Sequence, residues 1–225
     1  MENVLTYRSA SELNTAMGRV YANMGLAVLT SMIVSMLVAS SPSLMALLFG
    51  TALKWVVVFA PLVAVFAITF ALSRNPSKPA ALAMLHGFAA LMGLSFSTIF
   101  VVYNLGSIVS AFMGGSVLFG VAAGYGYFTK QNLDSLGKWL FVGLIGIVIA
   151  SIINVFVGSS VAQMVISALA VVIFTGLTAY DAQNIRENLA VDDSVATEIS
   201  GALSMYLNFI NIFLSLLQLF GEKKD

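Results

Sequence analysis

The chain has no cysteine, one histidine and very few charges. Without cysteine there are no disulfides and no thiolate chemistry, and nothing indicates a redox compartment. One histidine with no cysteine argues against a clustered soft-metal centre. Charged residues are 9% of the 225 positions, whereas a soluble domain carries about 25% because its surface must be wetted. With 60% of its residues hydrophobic, the chain cannot cover a water-facing surface, and lipid must be the solvent for most of it. A net charge of zero provides no electrostatic footprint for nucleic acid, so no nucleic-acid partner is expected. No linker, low-complexity run or convincing repeat breaks the sequence.

What remains is a series of long apolar runs separated by charges. A bilayer crossing needs about 20 apolar residues. The run after Arg19 supplies a first span at 20 to about 39, and a second lies at 55–72 between Lys54 and Arg74. The uncharged stretch 79–129 is too long for one crossing and divides at Tyr103-Asn104-Leu105-Gly106-Ser107 into spans three and four. The stretch 139–180 divides at Gly158-Ser159-Ser160 into spans five and six. A polar segment with Arg186, Glu187, Asp192, Asp193 and Glu198 follows, and the last span is 199 to about 220. The fold class is therefore an all-α integral membrane protein, a bundle of seven spans over 20–220. It is flanked by an N-terminal tail, 1–19, and a C-terminal tail, 221–225.

The first span is expected to be retained rather than cleaved as a signal. The preceding 19 residues are mixed in charge and its apolar run exceeds a signal core, although Val38-Ala39-Ser40 loosely resembles a cleavage site. With the N-terminus in the cytoplasm, the inner segments hold Arg8, Arg19, Arg74, Lys78, Lys130, Lys138 and Arg186, and the outer ones Lys54, Lys223 and Lys224. Seven against three favours that orientation. The C-terminal lysines dissent, and a re-entrant seventh segment is the alternative. Trp55 and Trp139 begin spans two and five, where interfacial anchors belong. Ser116, Gly120 and Gly124 recur every four residues on span four, a spacing that permits close helix contact in lipid. Pro61 frees a carbonyl within span two, as a static bend or a hinge.

Two features carry chemistry. Asp181 is the acid that falls within a span, and an intramembrane carboxylate marks a functional site unless the span ends before it. On the last span Ser200, Ser204, Asn208, Asn211, Ser215 and Gln218 follow at steps of four, four, three, four and three, which places them on one helical face. Amides left unsatisfied in lipid cost several kcal/mol. The last span should therefore be central, with its stripe turned to other helices or to a wet path. Interhelical hydrogen bonding alone would also account for it. Spans six and seven are antiparallel neighbours, so Asp181 and Asn208 should meet at similar depth. His86 and Asn154 read as hydrogen-bonded core residues, and Asp192, Asp193 and Glu198 as a solvated loop.

Enzyme readings lack partners. A Ser–His dyad would rest entirely on His86, with no nucleophile motif nearby. Tyr180-Asp181 resembles half of an intramembrane aspartyl protease, whose chemistry needs two carboxylates. No second acid occurs within any span, and no phosphate loop is present. The chain is expected not to be an enzyme and to need no cofactor.

Gly176-Leu177-Thr178-Ala179-Tyr180-Asp181 closes the sixth span. Gly201-Ala202-Leu203-Ser204-Met205-Tyr206-Leu207-Asn208-Phe209-Ile210-Asn211-Ile212-Phe213-Leu214 fills the seventh. Together they resemble the signature of the Bax inhibitor family, the transmembrane Bax-inhibitor-motif proteins, in its bacterial branch. Tyr125-Gly126-Tyr127-Phe128-Thr129-Lys130 and Leu144-Ile145-Gly146-Ile147-Val148-Ile149-Ala150-Ser151 extend the likeness over essentially the whole chain. The resemblance implies six helices around a central seventh, a bacterial inner-membrane location and a pH-sensitive calcium leak. In that family an Asp on span six pairs with an Asp on span seven, and an arginine at the cytoplasmic end of span two is their partner. Asp181 matches the first Asp and Arg74 the arginine, but Asn208 stands in place of the second Asp. Two carboxyls in contact share a proton and titrate together, whereas an amide donates to Asp181 at any pH. The shared-proton switch is therefore expected to be altered here, with Ser204, Asn211 and Ser215 lining the path. Besides the lipid bilayer, the partners implied are calcium or, if the chain does not conduct, a membrane-anchored AAA protease. A proton-coupled small-solute transporter with Asp181 as carrier is a third reading. Which metal, if any, the oxygen ligands take is not fixed by the sequence.

Overall fold

The computed structural model describes residues 8–224, and among these eight α-helices and no strand occur. They are α1 (Ala10–Ala39), α2 (Pro42–Phe49), α3 (Leu53–Leu72), α4 (Lys78–Val102), α5 (Leu105–Phe128), α6 (Asp134–Val157), α7 (Ser160–Val191) and α8 (Val195–Phe220). All but α2 are long and apolar enough to cross a membrane, which gives seven spans among the described residues.

Local chemistry explains several of the boundaries. Ser9 caps α1 in a reciprocal box with Glu12. Ser41 caps α2 from its side chain, with Pro42 opening the helix. Gly158 closes α6 in the left-handed region at φ 68°, where a side chain would be strained. Pro61 lies inside α3, which continues through it without a break.

Several boundaries differ from the sequence reading. α1 begins at Ala10 rather than near Val20, about three turns earlier, because the capping box sits there. The short α2 occupies part of the first uncharged run. α7 does not stop at Asp181: its 32 residues continue to Val191, since charges end a membrane span without ending a helix.

The helices form two compact units. Of the described residues the first holds 8–103, Glu187–Tyr206 and Lys224. In it α1 and α4 approach closely at Gly93, where an added Cβ would stand 2.7 Å from the Ser31 carbonyl oxygen. Ser31 is buried there and donates to the Ala89 carbonyl at 2.7 Å. The second unit holds Asn104–Arg186 and Leu207–Lys223. In it α5 meets α7 at Gly126, where a Cβ would lie 1.9 Å from the Ala179 carbonyl oxygen. By contrast nothing lies within 4 Å of a Cβ built on Gly120 or Gly124. The small-residue stripe of α5 is therefore not its contact face; Gly126, about 120° further round the helix, is.

α8 contributes to both units and is the most buried span. Its apolar window is 56% buried, against 6% to 33% in the other six. That agrees with a central seventh span. α6 stands at the opposite extreme, with Trp139 and Phe156 exposed as lipid-facing side chains are.

Candidate functional site

The site in the second unit is built on α7 and α8. Asn208 is buried on α8, and its Nδ2 donates to Asp181 Oδ2 on α7 at 2.7 Å. The two residues that the antiparallel connection predicts to meet are thus in direct contact. A carboxylate accepting from an amide is a charge-assisted hydrogen bond, which is stronger than a neutral one. It supplies Asp181 with a donor that does not depend on protonation.

A second polar cluster lies towards the opposite ends of the same helices. Gln218 Oε1 accepts from Gln163 Nε2 at 2.7 Å and from Ser167 Oγ at 2.8 Å. Gln163 Oε1 takes a weaker bond from Asn154 Nδ2 at 3.3 Å, and Asn154 Oδ1 accepts from the Ser159 backbone at 3.1 Å. Gln163 and Ser167 were not singled out in the sequence, yet the signal was present. Gln163, Ser167, Thr178 and Asp181 follow at steps of four, eleven and three, so α7 carries a polar face of its own.

The stripe on α8 is graded in exposure. At about 100° per residue its six members fall within an arc of about 80°. Ser200 and Gln218 at one edge are exposed, Ser204 and Asn211 are half-buried, and Ser215 and Asn208 at the other edge are buried. Most apolar residues of the helix are packed inside, and the edge of the stripe at Ser200 and Gln218 is accessible. Asn211 bonds to the Leu207 carbonyl of its own helix at 2.8 Å.

The α5–α6 connection is held from α7. Gln183 accepts from the Leu133 backbone and donates to the Gln131 carbonyl, both at 2.8 Å. Arg186 donates to the Tyr127 carbonyl and lies over the Tyr127 ring.

The remaining sequence candidates fall in the first unit. Arg74 follows the end of α3, exposed, with its guanidinium 4.6 Å from the centre of the Phe70 ring. His86 Nδ1 is 2.9 Å from Thr30 Oγ1, a hydrogen bond between α4 and α1. Asp192 and Asp193 form an exposed loop as expected, but Glu198 does not belong to it. Glu198 is buried in the first turn of α8, where it accepts from Arg19 Nε at 2.6 Å and Asn23 Nδ2 at 3.1 Å. The cation on α1 is what allows a carboxylate to be buried there.

Among the described residues no three His, Asp or Glu side chains cluster to hold a metal ion. Seven apolar spans, a buried last helix and a carboxylate–amide pair between the last two spans define an all-α integral membrane protein with a polar site inside its helical bundle. The chain belongs to the Bax inhibitor family: residues 13–225 match the family described as inhibitor of apoptosis-promoting Bax1. It is 35% identical over 218 residues to the inner membrane protein YbhL of Escherichia coli K12, covering 94% of this chain and 93% of that one. An uncharacterized membrane protein of Streptococcus pyogenes is 36% identical over 229 residues, with 98% of each chain covered. A protein of Borreliella burgdorferi is 35% identical over 225 residues, with 94% of each chain covered.

Proposed function

We propose that this protein is a non-enzymatic calcium leak of a bacterial inner membrane, with its N-terminus in the cytoplasm and with the family's paired-carboxylate switch replaced by Asp181 and Asn208. The observation that supports this reading is the 2.7 Å bond from Asn208 Nδ2 to Asp181 Oδ2, which occupies the place of the shared-proton pair. An amide keeps its hydrogen across the physiological range, so the contact survives changes of pH that would make or break a two-carboxyl pair. Leak through this protein should therefore depend less on pH than it does in members with two acids. In this reading Ser204, Asn211 and Ser215 line the path and Asp181 is a fixed charge on it.

The test is calcium flux into liposomes across pH, comparing wild type with Asn208→Asp and Asp181→Asn. Weak pH dependence in wild type, a steep dependence in Asn208→Asp and altered flux in Asp181→Asn are the expected results. A full acid-dependent response in wild type that Asn208→Asp leaves unchanged overturns the switch argument.

The replacement of the second acid also favours a second reading, a non-conducting regulator of a membrane-anchored AAA protease. No flux from any variant, together with a protease that co-purifies from native membranes, would select it.

A further inference from the structure

A cavity of about 600 Å³ lies in the second unit where the start of α5 faces the end of α8. Its wall on α8, Leu216 and Phe220, lies eight and twelve residues beyond Asn208, and whether or not the chain conducts does not bear on it. Four polar side chains line it: Asn104, Ser107, Ser110 and Glu222. Leu216 and Phe220 form an apolar side, and Phe220 is also 77% exposed, so the cavity borders a surface meant for lipid.

The mouth is built, not incidental. The Glu222 carbonyl accepts from the Asn104 backbone at 3.0 Å, and the Glu222 N–H donates to Ser107 Oγ at 2.9 Å. These bonds fix the backbone that carries the carboxylate while leaving that carboxylate exposed. Ser107 has accepted one hydrogen and keeps its own to donate. The Ser110 hydroxyl and the Asn104 amide each offer both donor and acceptor.

A negative group beside neutral donors, with an apolar wall next to them, is complementary to one kind of ligand. An ammonium would pair with Glu222, an adjacent phosphate would take the hydroxyl and amide hydrogens, and a hydrocarbon chain would follow Leu216 and Phe220. A purely anionic headgroup meets the repulsion of Glu222, and a simple cation leaves the donors and the apolar wall unused. We propose that this cavity binds a zwitterionic phospholipid headgroup of the phosphoethanolamine type.

The same chemistry exists in a free soluble zwitterion, so the experiment separates the two. Purified full-length protein would be examined by native mass spectrometry with phosphatidylethanolamine and phosphatidylglycerol of matched chains, and by titration with free O-phosphoethanolamine. Loss of one charge-assisted contact corresponds to about tenfold in affinity. Wild type should retain phosphatidylethanolamine about that much better than phosphatidylglycerol, and Glu222→Gln should remove the preference. Gly114→Leu should lower retention of both lipids by filling the space. A Cβ there meets Leu216 Cδ1 at an ordinary 3.6 Å, so the variant is expected to fold. Ser110→Leu, at an exposed position, provides a second filling variant. Equal retention of the two lipids by wild type, a preference unmoved by Glu222→Gln, or retention unmoved by both filling variants overturns the proposal. Binding of free O-phosphoethanolamine without lipid preference overturns the lipid assignment.

Discussion

Tyr206 on α8 and Ser31 on α1 share a 2.7 Å hydrogen bond within the buried core of the first unit. Ser31 Oγ is also 2.7 Å from the Ala89 carbonyl, which can only accept. With Ser31 donating to Ala89, the Tyr206 hydroxyl is the donor to Ser31. Three helices are thus joined through one serine, and the Tyr206 ring packs edge-on against Phe88 with centroids 5.8 Å apart.

Tyr206→Phe keeps the ring packing and removes the donor. Hydrogen bonds between membrane helices average about 0.6 kcal/mol, with a maximum near 1.7. The expected loss is in that range, read as a lowered unfolding midpoint in detergent or nanodiscs. Ser31→Ala should cost at least as much. The double variant should cost less than the sum, because both changes remove the same contact.

Gly126→Ala should be among the most damaging single changes in the chain. Its Cβ would sit 1.9 Å from the Ala179 carbonyl oxygen and 2.7 Å from the Ala179 carbonyl carbon, both backbone atoms that cannot rotate aside. Overpacking costs about 1–3 kcal/mol or more, and the expected outcome is loss of the monodisperse folded protein on size exclusion. Gly120→Ala meets nothing within 4 Å. It should be neutral or stabilising by up to about 1 kcal/mol through helix propensity.

Arg19→Ala should destabilise the protein more than Asn23→Ala. Both bond to Glu198, but removal of the cation leaves a buried carboxylate unpaired, which costs about 3–5 kcal/mol in a fully buried pair. Arg19 is 42% exposed along its side chain, so water replaces part of the loss and the effect should fall below that range. Glu198→Gln in the Arg19→Ala background should recover much of the stability.

Asp192 gives a pH-dependent prediction outside the spans. The Thr197 hydroxyl, and then the backbone and side chain of Ser194, hold its carboxyl below the usual range. A carboxyl with a depressed folded pKa adds stability at neutral pH, and that contribution is lost as pH falls through the folded value. The difference in unfolding midpoint between wild type and Asp192→Asn should therefore be present at neutral pH. It should begin to shrink at about pH 4, where the free carboxyl protonates, and vanish at lower pH as the folded carboxyl protonates too. A difference that persists unchanged into acid would show that the loop is held by its hydroxyls alone.

Much of this architecture was legible because charges and glycines mark where spans end. The breaks fall inside the expected stretches, Tyr103-Asn104 between α4 and α5 and Gly158-Ser159 between α6 and α7, and the antiparallel connection of the last two spans predicted that Asn208 would meet Asp181. What escaped has a common cause. α2 is apolar and lies in a run without charges, so nothing in the sequence separated it from its neighbours. Glu198 looked like a solvated acid because its partner, Arg19, is 179 residues away along the chain. The spacing of Ser116, Gly120 and Gly124 is compatible with close packing, but periodicity does not say which face another helix will take. Gly126 took that role because Ala179 lies against it. Gln163 and Ser167 were visible as polar residues, but their meaning depended on Gln218 coming into register beside them.

That register has a mechanical consequence. The Asn208–Asp181 hydrogen bond and the two hydrogen bonds accepted by Gln218 lie ten residues apart on α8, and both tie it to α7. One such pin would let the two rods pivot about it; two pins forbid sliding and rotation together. In the second unit, α7 and the adjoining half of α8 should therefore travel as a single stiff plank. A displacement that separates them must first draw one pin, and Gln218, exposed and neutral, is the one that water can reach.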